Sequence, residues 1–224
     1  MIFKENLTSK LIQISSHKII KNFKTKKNIL EIGCGDGNIS EYLIKNSILK
    51  HHFYLSDISE KAVKKAKKKI KYKNITLRTG KFFDPWKKIE TEFDVIISDV
   101  SSINDTVAKL SPWYKGITCD SGQDGLKNIN IILNQIDNYM KENTYFIMPI
   151  ISLCNVRRLD KILKKKFNVK YINKTHWPLP NFFEKNIKLM IKLKKRGYID
   201  FNKKFNINTG STSVAICKLK IKQS

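Results

Sequence analysis

The chain has 224 residues, 41% of them hydrophobic, including 12 Phe, 8 Tyr and 3 Trp, which excludes a disordered polymer and suits one large domain. Its 44 Lys+Arg against 19 Asp+Glu give a formal charge of +25, a field that favours phosphate-rich partners such as RNA. Cys34, Cys119, Cys154 and Cys217 form no C-x-x-C pair, and no apolar run reaches the ~18 residues of a membrane span, so zinc sites, dense disulfide frameworks and membrane insertion are excluded in favour of a reducing cytoplasm.

The chain reads in order as follows. Leu7, Leu11, Ile12, Ile19, Ile20 and Phe23 have helical spacing, so residues 5–24 form a leading helix. Residues 28–32 are a short apolar strand, and a helix follows over 38–45. A strand at 52–56, a basic helix at 60–71 and a short strand at 75–77 come next. Residues 93–98 read as a buried strand, 125–140 as a helix, 144–150 as a strand, 156–165 as a helix, and 168–172 and 213–219 as the last strands. This alternation predicts an α/β domain, a largely parallel seven-stranded sheet with helices on both faces. The whole of 1–224 is expected to be one domain, with an irregular aromatic segment at 176–210 serving as a lid, a substrate wall or a surface excursion.

The charge has a second reading. Most of it is Lys, in a chain also rich in Asn and Ile, which is the mark of an AT-rich genome acting on solvated faces. Arg, better suited to forked phosphate contacts, is sparse: Arg78, Arg157 and Arg158 are examples.

The chemistry concentrates at Ile29-Leu30-Glu31-Ile32-Gly33-Cys34-Gly35-Asp36-Gly37-Asn38. A strand runs into glycines at alternate positions and then into a helix, so the backbone turns sharply and a ligand can approach where a Cβ would obstruct it. The G-x-G-x-x-G spacing of dinucleotide sites fails, because Asn38 stands where the third glycine belongs. Glu31 suits a ligand bearing an amine, and Asp57, ending the second strand in Leu55-Ser56-Asp57-Ile58-Ser59, suits ribose hydroxyls.

On these residues the chain resembles the class I S-adenosylmethionine-dependent methyltransferases, whose fold is Rossmann-like. The resemblance implies S-adenosyl-L-methionine as cofactor, held by Glu31, Gly33, Cys34, Gly35, Asp57 and Ile58. The blocks at 80–86, 93–99 and 121–126 are similar to those of the release-factor glutamine methyltransferases. That group carries Asn-Pro-Pro-Tyr after its fourth strand, where this chain has Asp99-Val100-Ser101-Ser102. An ionised Asp accepts hydrogen bonds only, so Asp99 is the candidate for orienting an acceptor or taking its proton, beside the cofactor. The alternative is an acid that merely caps Ser102 or the following helix. Lys81 stands where the group has an acid for the adenine amine, which leaves Phe82 or Phe83 to pack on that ring.

Ser101, Trp113, Tyr114 and Trp177 are the substrate-wall candidates, and His176 is a candidate proton acceptor. No metal ligands are expected. The acceptor reads first as an oxygen or nitrogen of a small molecule. An RNA or protein side chain, or a non-catalytic cofactor-binding homologue, remains open.

Overall fold

A computed structural model describes residues 6–115 and 119–220; the first residue of the expected leading helix, Glu5, lies outside these. Helix α1 runs Leu7–Ile20, opened by Asn6, whose side chain accepts from the Ser9 amide. Strand β1 (Asn28–Ile32), helix α2 (Asn38–Asn46), strand β2 (His52–Asp57), helix α3 (Glu60–Lys69), strand β3 (Ile75–Thr79) and strand β4 (Phe93–Ser98) follow. The rest comprises α4 (Asp105–Leu110), α5 (Lys127–Gln135), β5 (Met140–Ile151), α6 (Val156–Lys166), β6 (Phe167–Pro178), α7 (Asn181–Lys185), α8 (Ile187–Lys195), β7 (Asn202–Lys204) and β8 (Ile207–Leu219).

The strands form one eight-stranded sheet in the order β3-β2-β1-β4-β5-β8-β6, with β7 paired to β8. The β1–β2, β1–β4, β2–β3 and β4–β5 pairings are parallel, whereas β8 enters antiparallel between β5 and β6. The α/β Rossmann-like class holds, with one strand more than the expected seven. The extra strand β7 and the first residues of the long β8 lie in Asn202–Thr212, where Asn, Gly and Ser residues mask a pairing that only the neighbouring strands reveal.

Side chains alternate across the sheet. Leu30, Ile32, Ile96, Phe146 and Met148 face one core under α5 and α6, with Ile129, Ile132, Leu159 and Leu163. Ile29, Phe53, Leu55, Val95 and Ile97 face the other, with Ile12 and Ile20 of α1 and Ile39 and Leu43 of α2. A third cluster joins Val107 of α4 to Phe183 of α7 and to Met190 and Leu193 of α8.

The region 176–210 is therefore not irregular. Strand β6 continues to Pro178, placing His176 and Trp177 opposite Ser211 and Gly210, and α7 and α8 follow. Short sequence windows miss this because Lys and Asn alternate with Ile, Thr and Trp in an edge strand exposed on one side.

Candidate active site

Alternation also places the acids. Residues Ile29 and Glu31 share a face of β1, and Val95, Ile97 and Asp99 share the same face of β4 and its extension. Glu31 pairs with Ile97, and the Asp99 amide donates to the Ile32 carbonyl at 3.2 Å, so both carboxyls emerge at the carboxyl end of the sheet. That end opens into a cavity of about 600 Å³, within the ~300–1,000 Å³ of small-molecule sites. Glu31, Gly33, Cys34, Gly35, Asp57, Ile58, Phe82, Asp99, Ser101 and Tyr114 all line it.

The glycines do different work. Gly35 has φ +54° and nothing within 4 Å of where a Cβ would sit, so it keeps open space at the cavity wall. Gly37, at φ +81°, does not line the cavity; a Cβ there would meet Ile70 Cδ1 at 2.6 Å. Its smallness serves the seat of α2 against Ile70 rather than ligand room. The Asp57 carboxylate organises the turn: Oδ2 accepts from the Gly35 amide at 2.9 Å and Oδ1 from the Ser59 amide at 2.8 Å.

Glu31 is 1% exposed, with its Oε2 accepting from both the amide and the hydroxyl of Ser40. Burial raises its pKa to about 8; the Ser40 hydrogen bonds oppose the rise and the neighbouring Asp99 adds to it. A cationic ligand group beside Glu31 would restore its charged form. Asp99 is half-buried and accepts from the Ser9 hydroxyl of α1 at 2.9 Å, not from Ser102 or a following helix. Burial raises its pKa to about 6, against the lowering effect of Ser9.

Other expected residues fall elsewhere. Phe83 is fully buried and stacks on Tyr139 at 4.3 Å between centroids, so of the two aromatics only Phe82, held at φ +47°, reaches the cavity. His176 is exposed near the end of β6 and does not line the cavity. Neither do Trp113 and Trp177, which pack edge to face at 5.7 Å, with Phe182 against Trp113. Strand β6 and helix α7 hold Trp177 and Phe182 where Trp113 packs against both, and the same strand presents His176 to solvent. Tyr114 remains, with its hydroxyl 2.9 Å from Ser101 Oγ, and burial pushes its pKa up. Asn6, Thr8, Ser9, Asp120 and Asn128 also line the cavity. The first three come from the start of α1, whose sequence shows only an apolar stripe and an N-cap; no local pattern says that its first turn meets β4.

The profile of a family described as a methyltransferase domain matches residues 23–200. The chain belongs to the methyltransferase-domain family. With its sheet order and its glycine turn between two acids, it is a class I S-adenosylmethionine-dependent methyltransferase by family and fold. This methyltransferase is 30% identical over 128 residues to a Methanocaldococcus jannaschii protein provisionally named as a protein N5-glutamine methyltransferase. That stretch covers 55% of this chain and 62% of the relative, so the chain spans less than two thirds of the relative it matches. Its fold is similar to a ribosomal protein L11 methylase of Lactobacillus delbrueckii subsp. bulgaricus, with TM-score 0.56, 11% identity, and 98% and 82% of the two chains covered. It is also similar to the precorrin-6y C5,15-methyltransferase of Geobacter metallireducens, with TM-score 0.53, 12% identity, and 96% and 95% covered. A plantazolicin methyltransferase solved with S-adenosylhomocysteine gives TM-score 0.51 at 15% identity, over 95% and 83% of the chains.

The residues of this methyltransferase fit S-adenosylmethionine. Gly35 leaves the wall open, and with the cofactor bound the carboxylate of Asp57 would accept from ribose hydroxyls and that of Glu31 would face the amine. Lys81 also lines the cavity, beside Phe82; as a donor it cannot accept from the adenine amine. No helix among the described residues is long and apolar enough to cross a membrane.

Proposed function

We propose that this chain transfers a methyl group from S-adenosylmethionine to an oxygen or nitrogen of a small molecule. The observation that carries the reading is Asp99, a half-buried carboxylate in the same cavity as Glu31 and Asp57, with Ser101 and Tyr114 beside it. S-adenosylmethionine supplies an electrophilic methyl group on a sulfonium. Asp57 and the Gly33–Gly35 backbone bind the nucleoside, and Glu31 binds the amine. An acceptor aligned in front of that methyl group would take it with its own lone pair, the sulfur keeping the electron pair of the broken sulfur–carbon bond. Asp99 aligns the acceptor's O–H or N–H and takes its proton at a carboxylate oxygen.

A carboxylate held near pH 6 by burial is a competent base at neutral pH yet can give the proton up again. It also explains the departure from Asn-Pro-Pro-Tyr: a side chain that only accepts replaces one that both donates and accepts. A second reading, transfer to a protein side chain, is favoured by the Methanocaldococcus jannaschii relative, whose provisional name specifies glutamine N5. The basic charge gives RNA no particular support. Exposed lysines lie on α3, which packs beside β2 and β3, and on α6 and α8, which pack into two different clusters, rather than in one stripe beside Asp99.

Incubating the protein with methyl-tritiated S-adenosylmethionine and separate small-molecule, protein and RNA fractions of a cell extract tests the reading. Label in the small-molecule fraction, lost in Asp99→Ala, is the expected result. Label confined to protein transfers the case to the second reading, and label in no fraction contradicts both.

A further inference from the structure

The Ser9 hydroxyl reaches Asp99 across the boundary of the family-matched segment. Residues 23–200 match the methyltransferase-domain family, whereas α1, from Leu7 to Ile20, precedes them. Yet Ser9 is 8% exposed and its Oγ lies 2.9 Å from Asp99 Oδ2, ninety residues later in the chain. The position of Ser9 is fixed from both sides. Its amide donates to Asn6 Oδ1 at 3.0 Å, and Ile12 and Ile20 anchor α1 in the core shared with β1, β2 and β4. Farther along α1, Asn173 of β6 donates to Ser15 Oγ at 2.9 Å, tying the helix to the sheet's outer strand.

A carboxylate has two oxygens, and Oδ1 of Asp99 has no hydrogen-bond partner among the described residues. A free carboxyl rotates about its Cβ–Cγ bond, and that torsion is soft. Catalysis by alignment needs the torsion fixed, because misplacing a reacting group by about 1 Å costs on the order of 100-fold in rate. We propose that Ser9 is a positioning residue of this site, pinning one oxygen of Asp99 so that the other meets the acceptor. The inference rests on the methyltransferase reading above and adds to it a residue from outside the matched domain. It gives a role to the start of α1, from which Asn6, Thr8 and Ser9 line the cavity.

The ionisable groups coupled to Asp99 are Glu31 on β1 and Tyr114 in the short turn at 112–114. Neither is a cation, so the hydrogen bond from Ser9 is the contact that favours the charged form of Asp99.

The test uses the full chain carrying ¹³C-labelled aspartate, with the Asp99 carboxyl followed by NMR against pH. Ser9→Ala and Ser9→Cys, the latter keeping the volume but offering only a weak donor, are expected to raise the Asp99 midpoint by about one pH unit. Ser9→Thr, which keeps the hydroxyl, is expected to restore the original midpoint, and none of the three should change the affinity for S-adenosylhomocysteine more than about twofold. An unmoved midpoint in both Ala and Cys variants overturns the role of Ser9, as does a Thr variant that fails to restore it. Calorimetry of the unaltered chain with S-adenosylhomocysteine separates the two claims. Absence of binding overturns the site reading, and Ser9's role with it, whereas binding without an NMR shift overturns Ser9's role alone.

Discussion

Among the described residues the cavity is lined by Glu31, Asp36, Asp57, Asp99 and Asp120 and by one lysine, Lys81, whereas α3 alone exposes Lys61, Lys64, Lys65, Lys67 and Lys68 to solvent. The two regions are charged in opposite senses and held by different means. Strand register places Glu31 and Asp99 on one face of the sheet, and hydrogen bonds to Ser40, Gly35, Ser59 and Ser9 fix the three central carboxyls. The outer lysines make few such bonds, and their ion pairs, such as Lys64 with Glu60 at 2.7 Å, are exposed and contribute roughly 0.3–0.5 kcal/mol at most.

The sharpest way to break the comparison is to remove an acid from the cavity. Asp57→Ala deletes the acceptor of the Gly35 and Ser59 amides as well as the proposed ribose partner, and S-adenosylhomocysteine affinity by calorimetry is expected to fall on the order of 100-fold. Unchanged affinity would remove Asp57 from the cofactor site.

Glu31 gives a two-sided effect. Its pKa is raised from 4.5 in the unfolded chain to about 8 in the folded one, so the protonated form stabilises the fold below pH 4.5 and that advantage is lost as pH rises toward 8. Glu31→Gln keeps a neutral side chain at every pH. It is expected to stabilise the ligand-free protein by about 1–3 kcal/mol at pH 8 and by almost nothing at pH 4.5, while weakening cofactor binding. Urea unfolding at the two pH values measures the first part; equal stabilisation at both would show that Glu31 is not protonated by burial.

A smaller effect follows in the unaltered protein. Binding an amine beside Glu31 draws its proton off, so S-adenosylhomocysteine affinity should weaken from pH 7.5 to pH 6, by up to about tenfold per unit. Calorimetry in two buffers of different ionisation enthalpy would register the released proton. At the lower end of the scale, Lys64→Glu and Lys68→Glu on α3 are expected to change that affinity less than about twofold, since these side chains lie on a solvated face. A tenfold change would mean that the outer field reaches the site.

Much of this was legible in the residues, for physical reasons. Ile29–Asn38 states its strand, its turn and its acids within ten positions, because chemistry that needs close backbone approach admits few residue types. The burial of β4 is equally plain, since all six of its residues are apolar or shielded. The acceptor end was less legible. Trp113 and Trp177 read as a substrate wall and His176 as a proton acceptor, but β6 carries His176 and Trp177 as strand residues, and Trp113 packs on Trp177 and Phe182 away from the cavity. Ser9 gave no signal, because its meeting with Asp99 is a tertiary contact between distant segments. Gly37 looked like part of the ligand cradle and instead makes room for Ile70.

The most direct test of the acidic cavity is a crystal structure of the chain with S-adenosylhomocysteine. The ribose hydroxyls should lie within hydrogen-bond distance of Asp57, the amine beside Glu31, and the sulfur should face the Asp99 carboxyl. A ligand seated outside this cavity, or a cavity closed by Phe82 and its neighbours in saturating ligand, would contradict the assignment.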